Sequence, residues 1–426
     1  MDWKNQLTRT PYLVLFIVLI TVGVGTASAL ITITLAGDVI IEGNLQLDGD
    51  LECTDCIDSS NIESQTVLID KLVTIESIGG TNGIYTSIAL TSQDIPVISY
   101  TDGSTKTLRV AFCGDAKCGS GIKIRSLDLS STGFTFTSLA MDSGDKPVVS
   151  YYDVDVGDLL VLTCGNKICT TGINTETVDS TNDVGKYNSL ALASGDIPVI
   201  SYYDEDLDHL KFVKCGNTTC SSGNIFQTLD STGSVGRYTS IALASGDIPV
   251  ISYYDFTDRD LNLIRCGDAT CSTGNTITTV DSSSNNQGQY TSLFLTAGDI
   301  PVISYYDLFT QDLRFVRCDD TTCSSGNTYQ TLDSNGIVGF YTSIALTSNN
   351  IPVISYYDVT NLDLKIITCG DKTCSSGNSI RSVDVAHEVG QFISMALTFD
   401  DIPVVSYFDN DNAAPKFFTQ EKIVFP

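Results

Sequence analysis

The sequence predicts an all-β fold, a seven-bladed β-propeller made of four-stranded repeats of about 51 residues. The motif SGDIPVISYYD at 194–204 recurs unchanged at 245–255, and looser copies bring the total to seven, at intervals of 51 or 52 residues. Each repeat contains four strand-like runs, and none of the runs has sustained helical periodicity. The chain also begins and ends its repeats partway through a unit, which suits a closed ring.

The fourth repeat shows the four runs in order. They are YTSIALA (238–244), IPVISYYD (248–255), LNLIRC (261–266) and TITTVDS (276–282). Small residues alternate with larger apolar ones in the first run, as expected of a strand beside a crowded axis. The second run is apolar or aromatic on both faces, so we expect it to be buried between neighbouring blades. Because one blade cannot bury both faces alone, the unit must repeat around the ring.

The two ends of the repeat region predict how the ring closes. LVTIES at 72–77 matches a fourth strand, and PKFFTQ at 415–420 matches a third strand. We therefore expect the N-terminal run to be the outer strand of the last blade, which leaves no open sheet edge. An alternative source of that outer strand is KIVFP at 422–426.

Twelve of the 14 cysteines form six pairs with the spacing Cys-x4-Cys. The pairs are Cys113/Cys118, Cys164/Cys169, Cys215/Cys220, Cys266/Cys271, Cys318/Cys323 and Cys369/Cys374. With only two histidines in the chain, disulfides fit these pairs better than zinc sites. Each pair joins a third to a fourth strand, and the closing blade has none because its third and fourth strands are not consecutive. Cys53 and Cys56 are also assigned as a disulfide, since no βαβ pattern of a redox motif surrounds them.

The N-terminal 29 residues are typical of a signal peptide or a membrane anchor. Lys4 and Arg9 precede an apolar run, and ASA at 27–29 has the residue spacing of a signal-peptidase site. The apolar character continues through residues 31–35, so the segment is long enough to span a bilayer. Either alternative predicts a secreted protein or one on the extracellular face of the membrane. Residues 30–70 are then predicted to be a β-rich stalk or a flexible linker, and 71–426 the propeller.

The net charge of −28 restricts the partners. Nucleic acids and anionic membrane surfaces are both bound through clustered cations, so neither is expected to bind the propeller. Contact with a membrane is expected through the N-terminal segment only. The predicted partner is therefore an extracellular protein or a glycan.

Each copy of the repeated motif ends in an aspartate that begins the loop after the second strand. These residues are Asp102, Asp153, Asp204, Asp255, Asp307, Asp358 and Asp409. One interpretation is that each carboxylate caps its own loop through an Asx turn. The other is that they bind calcium with the help of neighbouring acids such as Asp258 and Asp260. No other cofactor is indicated.

One position differs from repeat to repeat, just before the aromatic residue of the first strand. Its occupants are Ile84, Thr135, Lys186, Arg237, Gln289, Phe340 and Gln391. We expect them to ring the channel on the top face, defined here as the face that carries the loops from fourth to first and from second to third strand. Lys186, Arg237, Gln289, Phe340 and Gln391 are the candidate ligand-binding residues, with scattered surface variation as the alternative. If the charges of Lys186 and Arg237 are unpaired, they would bind a carboxylate or sulfate group.

The order of a small-apolar strand, a Gly-Asp turn, PVISYYD and an L-K-apolar run resembles the repeats of secreted bacterial and archaeal β-propellers, broadly those of sialidase type. The resemblance covers residues 71–426 and implies the fold and a location outside the cell. The sialidase Asp-box, Ser-x-Asp-x-Gly-x-x-Trp, is missing from the sequence, and the single tryptophan is Trp3. The resemblance therefore implies nothing about catalysis.

Seven near-identical repeats favour binding over catalysis, because a catalytic site needs different groups gathered at one place. We therefore predict an exported, surface-tethered, non-catalytic propeller that serves in binding or adhesion. The alternatives are a secreted glycan-active hydrolase or lyase, and a structural component of a surface layer.

Overall fold

The computed structural model of the protein describes residues 66–76, 82–129, 133–283, 286–386 and 388–424. Within these ranges the chain forms 28 β-strands in seven antiparallel sheets of four strands each. No helix in these ranges is long and apolar enough to cross a bilayer. The predicted signal or anchor segment and most of the predicted stalk, with Cys53 and Cys56, lie outside the described residues.

The strands follow one another along the chain as seven blades. The first strand, β1, is Thr66–Thr74, and it belongs to the last blade. Blade 1 consists of β2 (Asn82–Leu90), β3 (Pro96–Asp102), β4 (Thr107–Phe112) and β5 (Lys123–Leu129). Blade 2 consists of β6 (Phe134–Met141), β7 (Pro147–Asp153), β8 (Asp158–Thr163) and β9 (Asn174–Asp179). Blade 3 consists of β10 (Val184–Ala193), β11 (Ile197–Asp204), β12 (His209–Lys214) and β13 (Ile225–Asp230).

The remaining blades have the same order. Blade 4 consists of β14 (Val235–Ala244), β15 (Ile248–Asp255), β16 (Asp260–Arg265) and β17 (Thr276–Asp281). Blade 5 consists of β18 (Gln287–Leu295), β19 (Pro301–Asp307), β20 (Asp312–Arg317) and β21 (Thr328–Asp333). Blade 6 consists of β22 (Val338–Leu346), β23 (Pro352–Asp358), β24 (Asp363–Thr368) and β25 (Ser379–Asp384). Blade 7 consists of β26 (Val389–Leu397), β27 (Pro403–Asp409), β28 (Ala414–Val424) and β1. The predicted seven-bladed propeller is confirmed.

The ring closes as the sequence predicts, with the N-terminal strand as the outer strand of blade 7. Leu72 pairs with Phe418 in the β1–β28 ladder, and the Ile75 N–H donates to the Pro415 carbonyl at 2.9 Å. The strand starts earlier than predicted, however, so residues 66–70 belong to the sheet and not to the stalk. The reason is the length of β28: its residues 420–424 supply partners for 66–70. KIVFP as a separate outer strand is therefore wrong, because residues 422–424 continue the third strand.

The apolar core lies between neighbouring blades and not within any single one. In one cluster, Phe212 of blade 3 packs with Ile251 and Tyr253 of blade 4, and all three side chains are fully buried. The second strands carry apolar residues on both faces for this reason. Burying a large apolar side chain of this kind stabilises the fold by about 1.5–3 kcal/mol.

A ring of hydrogen bonds joins the first strands around the axis. A serine Oγ on each first strand accepts the backbone N–H of the next blade, as in the bond from Leu139 N to Ser87 Oγ at 3.0 Å. The ring is completed across the closure by the bond from Ile88 N to Ser394 Oγ at 3.2 Å. The accepting serines are Ser87, Ser138, Ser189, Ser240, Ser292, Ser343 and Ser394. A larger side chain at this position would prevent both the bond and the close approach of the blades.

The six predicted Cys-x4-Cys disulfides are all formed. They join Cys113 to Cys118, Cys164 to Cys169, Cys215 to Cys220, Cys266 to Cys271, Cys318 to Cys323, and Cys369 to Cys374. Each closes the loop between a third and a fourth strand, and its sulfur atoms pack into the core between two blades. Such a set of disulfides indicates that the protein folds in an oxidising compartment.

The second cysteine of each pair has a backbone conformation that the Cys-x4-Cys spacing does not predict. Its φ is positive, 48–57°, which a residue other than glycine rarely adopts. Its N–H closes a tight turn by donating to a carbonyl three residues earlier, as in the 3.1 Å bond from Cys271 N to the Asp268 carbonyl. The residues with this conformation, each at most 2% exposed, are Cys118, Cys169, Cys220, Cys271, Cys323 and Cys374. They are therefore buried structural residues that hold the loop, and they are closed to contact with a ligand.

Candidate functional site

A closed ring of seven aromatic side chains surrounds the propeller axis near the top face. Its members are Tyr85, Phe136, Tyr187, Tyr238, Tyr290, Tyr341 and Phe392, and neighbouring ring centroids are 4.5–4.8 Å apart. Each residue has a positive φ of 52–55° and interrupts the pairing of the first two strands. This β-bulge re-aims the side chain, so that consecutive rings pack on one another. The rings and the residues that follow them line a cavity of about 310 Å³.

Around this ring, Lys186 and Arg237 are each placed against the second aromatic of the preceding blade's SYYD motif. Lys186 Nζ lies 5.3 Å from the ring centroid of Tyr152, and Arg237 Cζ lies 5.3 Å from that of Tyr203. Phe340 is placed in the same way against Tyr306 of blade 5, whereas blade 1 has Thr101 at this position of the motif. Lys186 and Arg237 consequently occupy matching positions in adjacent blades, as the sequence predicts.

Lys186 and Arg237 both have carboxylate partners, so the condition for an anion-binding pair is not met. Lys186 Nζ is 2.9 Å from Asp183 Oδ2 and 3.7 Å from Glu205 Oε2. Arg237 Nη2 is 3.8 Å from Asp208 Oδ1. Asp183 precedes Lys186 by only three residues, whereas Glu205 and Asp208 come from the loop after the second strand of blade 3. That loop lies against the loop from fourth to first strand, as shown by the bond from Glu205 N to the Asp183 carbonyl at 2.8 Å.

Arg237 is held in a fixed orientation between two aromatic rings. Its Cζ lies 4.4 Å from the centroid of Phe256, and its Nε and Nη2 donate to the Tyr203 hydroxyl at 3.3 and 3.2 Å. Tyr203 in turn donates to Asp208, whose pKa is lowered mainly by this hydrogen bond. The guanidinium is therefore preorganised, with its Nη1 making no hydrogen bond to the described part of the chain.

Gln289 and Gln391 are also anchored by residues of the top loops. Gln391 Nε2 donates to Glu388 Oε1 at 2.6 Å, and Gln289 Nε2 lies 3.4 Å from Asn286 Oδ1. Asn286 also accepts the Tyr254 hydroxyl at 2.6 Å. Each amide is thus oriented by one hydrogen bond, and its oxygen can accept another from a ligand.

Blade 6 contributes an apolar group in place of an amide or a cation. The Phe340 ring stacks on Tyr306 at 4.3 Å between centroids. The Tyr306 hydroxyl is buried without a partner among the described residues, because the loop position that supplies an acceptor elsewhere is Ile337 here. Burial raises the pKa of Tyr306 to about 12. The five candidate binding residues therefore provide two cations, two amides and one aromatic ring at equivalent positions of the blades.

Exposed apolar side chains on the top loops were not identified from the sequence. Phe256 is 50% exposed and Phe309 63% exposed, and both lie in loops between second and third strands. Leu207 is exposed in the matching loop of blade 3. The sequence did contain an indication of these residues, because the loops between second and third strands vary more between repeats than the strands do. Together with Arg237 and Phe340, they form what we call the top-face site.

The seven aspartates that end the SYYD motifs cap their own loops. Asp255 Oδ1, for example, accepts the N–H groups of Thr257 at 2.9 Å and Asp258 at 3.0 Å. The other six also accept a backbone N–H from two or three residues further on in their own loops; they are Asp102, Asp153, Asp204, Asp307, Asp358 and Asp409. No three His, Cys, Asp or Glu side chains are grouped to hold a metal in the described ranges. Calcium binding by the full set stays a prediction.

The described residues define a closed seven-bladed β-propeller whose top face combines preorganised polar groups with exposed aromatic rings. No protein-family model matches the sequence, and no curated protein matches it. Among solved structures, a protein of unknown function from Dyadobacter fermentans is similar at a TM-score of 0.52 and 10% identity, over 85% of this chain and 99% of that one.

Two enzymes of known name have a similar fold. A polysaccharide lyase, an ulvan lyase bound to -[GlcA(1-4)Rha3S]-, gives a TM-score of 0.55 at 11% identity, over 82% of this chain and 97% of the lyase. The GH74 xyloglucanase from Xanthomonas campestris gives 0.50 at 10% identity, over 82% of this chain and 55% of the xyloglucanase. At such low identities these likenesses show the fold alone.

Proposed function

We propose that the protein is an exported, surface-tethered propeller that binds a neutral glycan on its top face. The observation that carries the proposal is the half-exposed Phe256, with the preorganised Arg237 packed on its ring and Phe309 exposed in the next blade. A sugar ring presents an apolar face that packs on an aromatic ring, and its hydroxyl groups require donors and acceptors at the edge. Arg237 and Gln289 are available as such groups.

The charges in and around the top-face site favour a neutral ligand over an anionic one. Lys186 and Arg237 already have carboxylate partners in Asp183, Glu205 and Asp208. A ligand carboxylate or sulfate would have to displace them and would approach a chain of net charge −28. A neutral sugar does not require this exchange. Its hydroxyl groups can donate hydrogen bonds to the carboxylates and accept them from the cations while the ion pairs stay formed.

Rigidity supports binding as well. Arg237, Gln289 and Gln391 are already held by hydrogen bonds within the protein, and Arg237 also packs on an aromatic ring. Little side-chain freedom is therefore lost when a ligand binds. That two enzymes of similar fold are named for polysaccharide substrates is consistent with a glycan ligand. Export is supported by the six disulfides, and tethering by the apolar N-terminal segment.

A glycan array probed with the full-length protein tests the proposal, using two matched double variants. Phe256→Ala/Phe309→Ala removes exposed rings from the top face. Phe294→Ala/Phe399→Ala removes two rings, 40% and 78% exposed, from positions toward the other end of the first strands. We expect the first variant to bind the selected neutral glycan at least tenfold more weakly and the second to bind within twofold of the wild type.

The outcomes separate the alternatives. Binding of neutral glycans should be insensitive to salt, because no ligand charge is screened. Shortening of the bound oligosaccharide, measured by mass spectrometry, would identify a hydrolase or lyase. Absence of any glycan ligand, or equal losses in both double variants, would contradict a glycan site on the top face.

A further inference from the structure

In five blades, a cation from the third strand lies between two carboxylates at the interface with the preceding blade. Lys365 Nζ, for example, is 3.1 Å from Asp333 Oδ2 of blade 5 and 2.9 Å from Asp358 Oδ2 of its own blade. The cations in this position are Arg109, Lys211, Arg314, Lys365 and Lys416. Their acidic partners are largely buried, so the cation offsets the cost of removing the carboxylates from water.

Blade 4 has the two carboxylates without the cation. Asp230 and Asp255 are 5% and 4% exposed, and neither forms an ion pair within the described ranges. Asp230 Oδ2 accepts the Tyr253 hydroxyl at 2.6 Å, as its counterparts do in other blades. The third-strand residue that should supply the positive charge is Asn262. Two buried carboxylates therefore share an interface in which the usual counter-charge is missing.

The surroundings of Asn262 indicate which group could replace that charge. It is 5% exposed, and its Nδ2 lies 3.3 Å from Asp255 Oδ2, so the side chain is directed at the carboxylate. Its Oδ1 is buried and has no hydrogen-bond partner among the described residues. A buried amide oxygen without a partner destabilises the folded state, unless something binds it. Rotation of the amide would turn that oxygen toward the carboxylates.

We infer that the interface of blades 3 and 4 binds a calcium ion through Asp230, Asp255 and Asn262. Two carboxylates and an amide oxygen are the hard oxygen ligands that calcium takes, and water completes its shell. A dication also balances two carboxylates, which a single lysine does not. Asn is shorter than Lys, so the substitution leaves room where Nζ lies in the other blades.

Blade 2 provides a contrast within the same chain. There the third-strand position is Leu160, which has no oxygen to offer, although Asp153 occupies the place of Asp255. The inference is therefore specific to blade 4. It does not depend on a glycan ligand, since the ion would lie between the blades.

Calcium titration of the full-length protein, stripped with EDTA and followed by isothermal calorimetry, tests the inference. We expect one calcium per chain, a higher thermal midpoint in calcium than in EDTA, and weaker binding of magnesium. Asn262→Lys supplies the cation of the other blades, so it should abolish calcium binding and raise the midpoint measured in EDTA. Asn262→Leu copies blade 2 and should weaken calcium binding at least tenfold.

Thr331→Lys is the matched control, because it adds the same charge at an exposed position of blade 5 and should leave calcium binding unchanged. Near-UV circular dichroism identifies any variant that fails to fold, and the wild-type titration remains decisive in that case. A wild-type protein that binds no calcium at millimolar concentration would overturn the inference. So would unchanged binding in folded Asn262→Lys and Asn262→Leu.

Discussion

At the residue scale, strands of the same structure differ in function-bearing side chains because single residues are substituted at equivalent positions. The third-strand position that holds Lys365 in blade 6 holds Asn262 in blade 4 and Leu160 in blade 2. The backbone at these positions is the same, because the ladder register repeats from blade to blade. One side chain therefore decides whether an interface has its own cation.

Asp260 of blade 4 gives a pH-dependent prediction at this scale. Desolvation, with repulsion from Asp255, Asp258 and Asp281, raises the pKa of Asp260 from 3.8 to about 6. The folded state therefore holds this proton more tightly than the unfolded chain, and the contribution of Asp260 to the free energy of unfolding falls as pH rises from about 4 through 6. Asp260→Asn should then increase stability by about 1 kcal/mol at pH 8 and have little effect at pH 4.

Urea unfolding in EDTA at both pH values measures this effect. Asp145→Asn is the comparison of opposite sign. Hydrogen bonds from Ser92 and Lys167 lower the pKa of Asp145 to about 2, so it contributes stability above pH 4 that is lost as pH falls toward 2. An Asp260→Asn variant that is no more stable than wild type at pH 8 would refute the argument.

Residue roles were predictable from the sequence only where the partners are local. The Asx caps and the Cys-x4-Cys disulfides are formed within a few residues, and both follow from spacing. The positive φ at Cys271 and its counterparts does not follow, because spacing gives the distance along the chain and not the shape of the turn. The pairing of Lys186 with Glu205 was missed because Glu205 comes from another loop, which lies nearby only in the folded blade. The buried third-strand cations were missed for the same reason, since their partners come from two blades.

At the element scale, the closing strand β1 does more than cover an edge. Glu76, two residues after the end of β1, takes the place that the fourth-strand aspartate has in other blades. Its carboxylate accepts the Tyr100 hydroxyl at 2.6 Å and Arg109 Nη1 at 2.5 Å, both from blade 1. The N-terminal segment therefore joins blades 7 and 1 by side chains as well as by its ladder with β28.

Glu76→Ala should lower the free energy of unfolding by about 1–3 kcal/mol, because it leaves the buried Tyr100 hydroxyl without its acceptor. Glu421→Ala is the matched control. Glu421 pairs with Lys117 on the surface, where an ion pair contributes under about 1 kcal/mol. Chemical denaturation of both variants measures the difference. Equal losses would show that the closure depends on the backbone ladder alone.

The element boundaries show the limit of the sequence pattern. The fourth-strand match identified residues 72–77, but the strand begins at Thr66 because β28 is longer than the other third strands. The other third strands are six residues long, and no repeat predicts an extension of the eleven-residue β28. The place of the closing strand in the sheet was therefore predictable, whereas its bounds were not: it starts at Thr66 and ends at Thr74, and 72–77 was predicted.

At the scale of the whole molecule, sevenfold repetition provides the frame and the differences between blades provide the site. The fold was predictable from the sequence because seven repeats contain the same four strand-like runs. A run that is ambiguous in one repeat can be assigned from its counterparts in the others. The top-face site does not, because it joins loops of unlike sequence from several blades. Phe256 and Phe309 lie in such loops, and their exposure depends on what surrounds them in the folded ring.

The central claim is that the ligand binds on the top face, and hydrogen–deuterium exchange tests it most directly. The full-length protein is measured with and without the neutral glycan selected on the array. We predict slower exchange in the loops at 204–209, 255–260 and 307–312, and unchanged exchange in the turns at 143–146 and 245–248 between first and second strands. Protection confined to those turns or to the outer strands would contradict the claim.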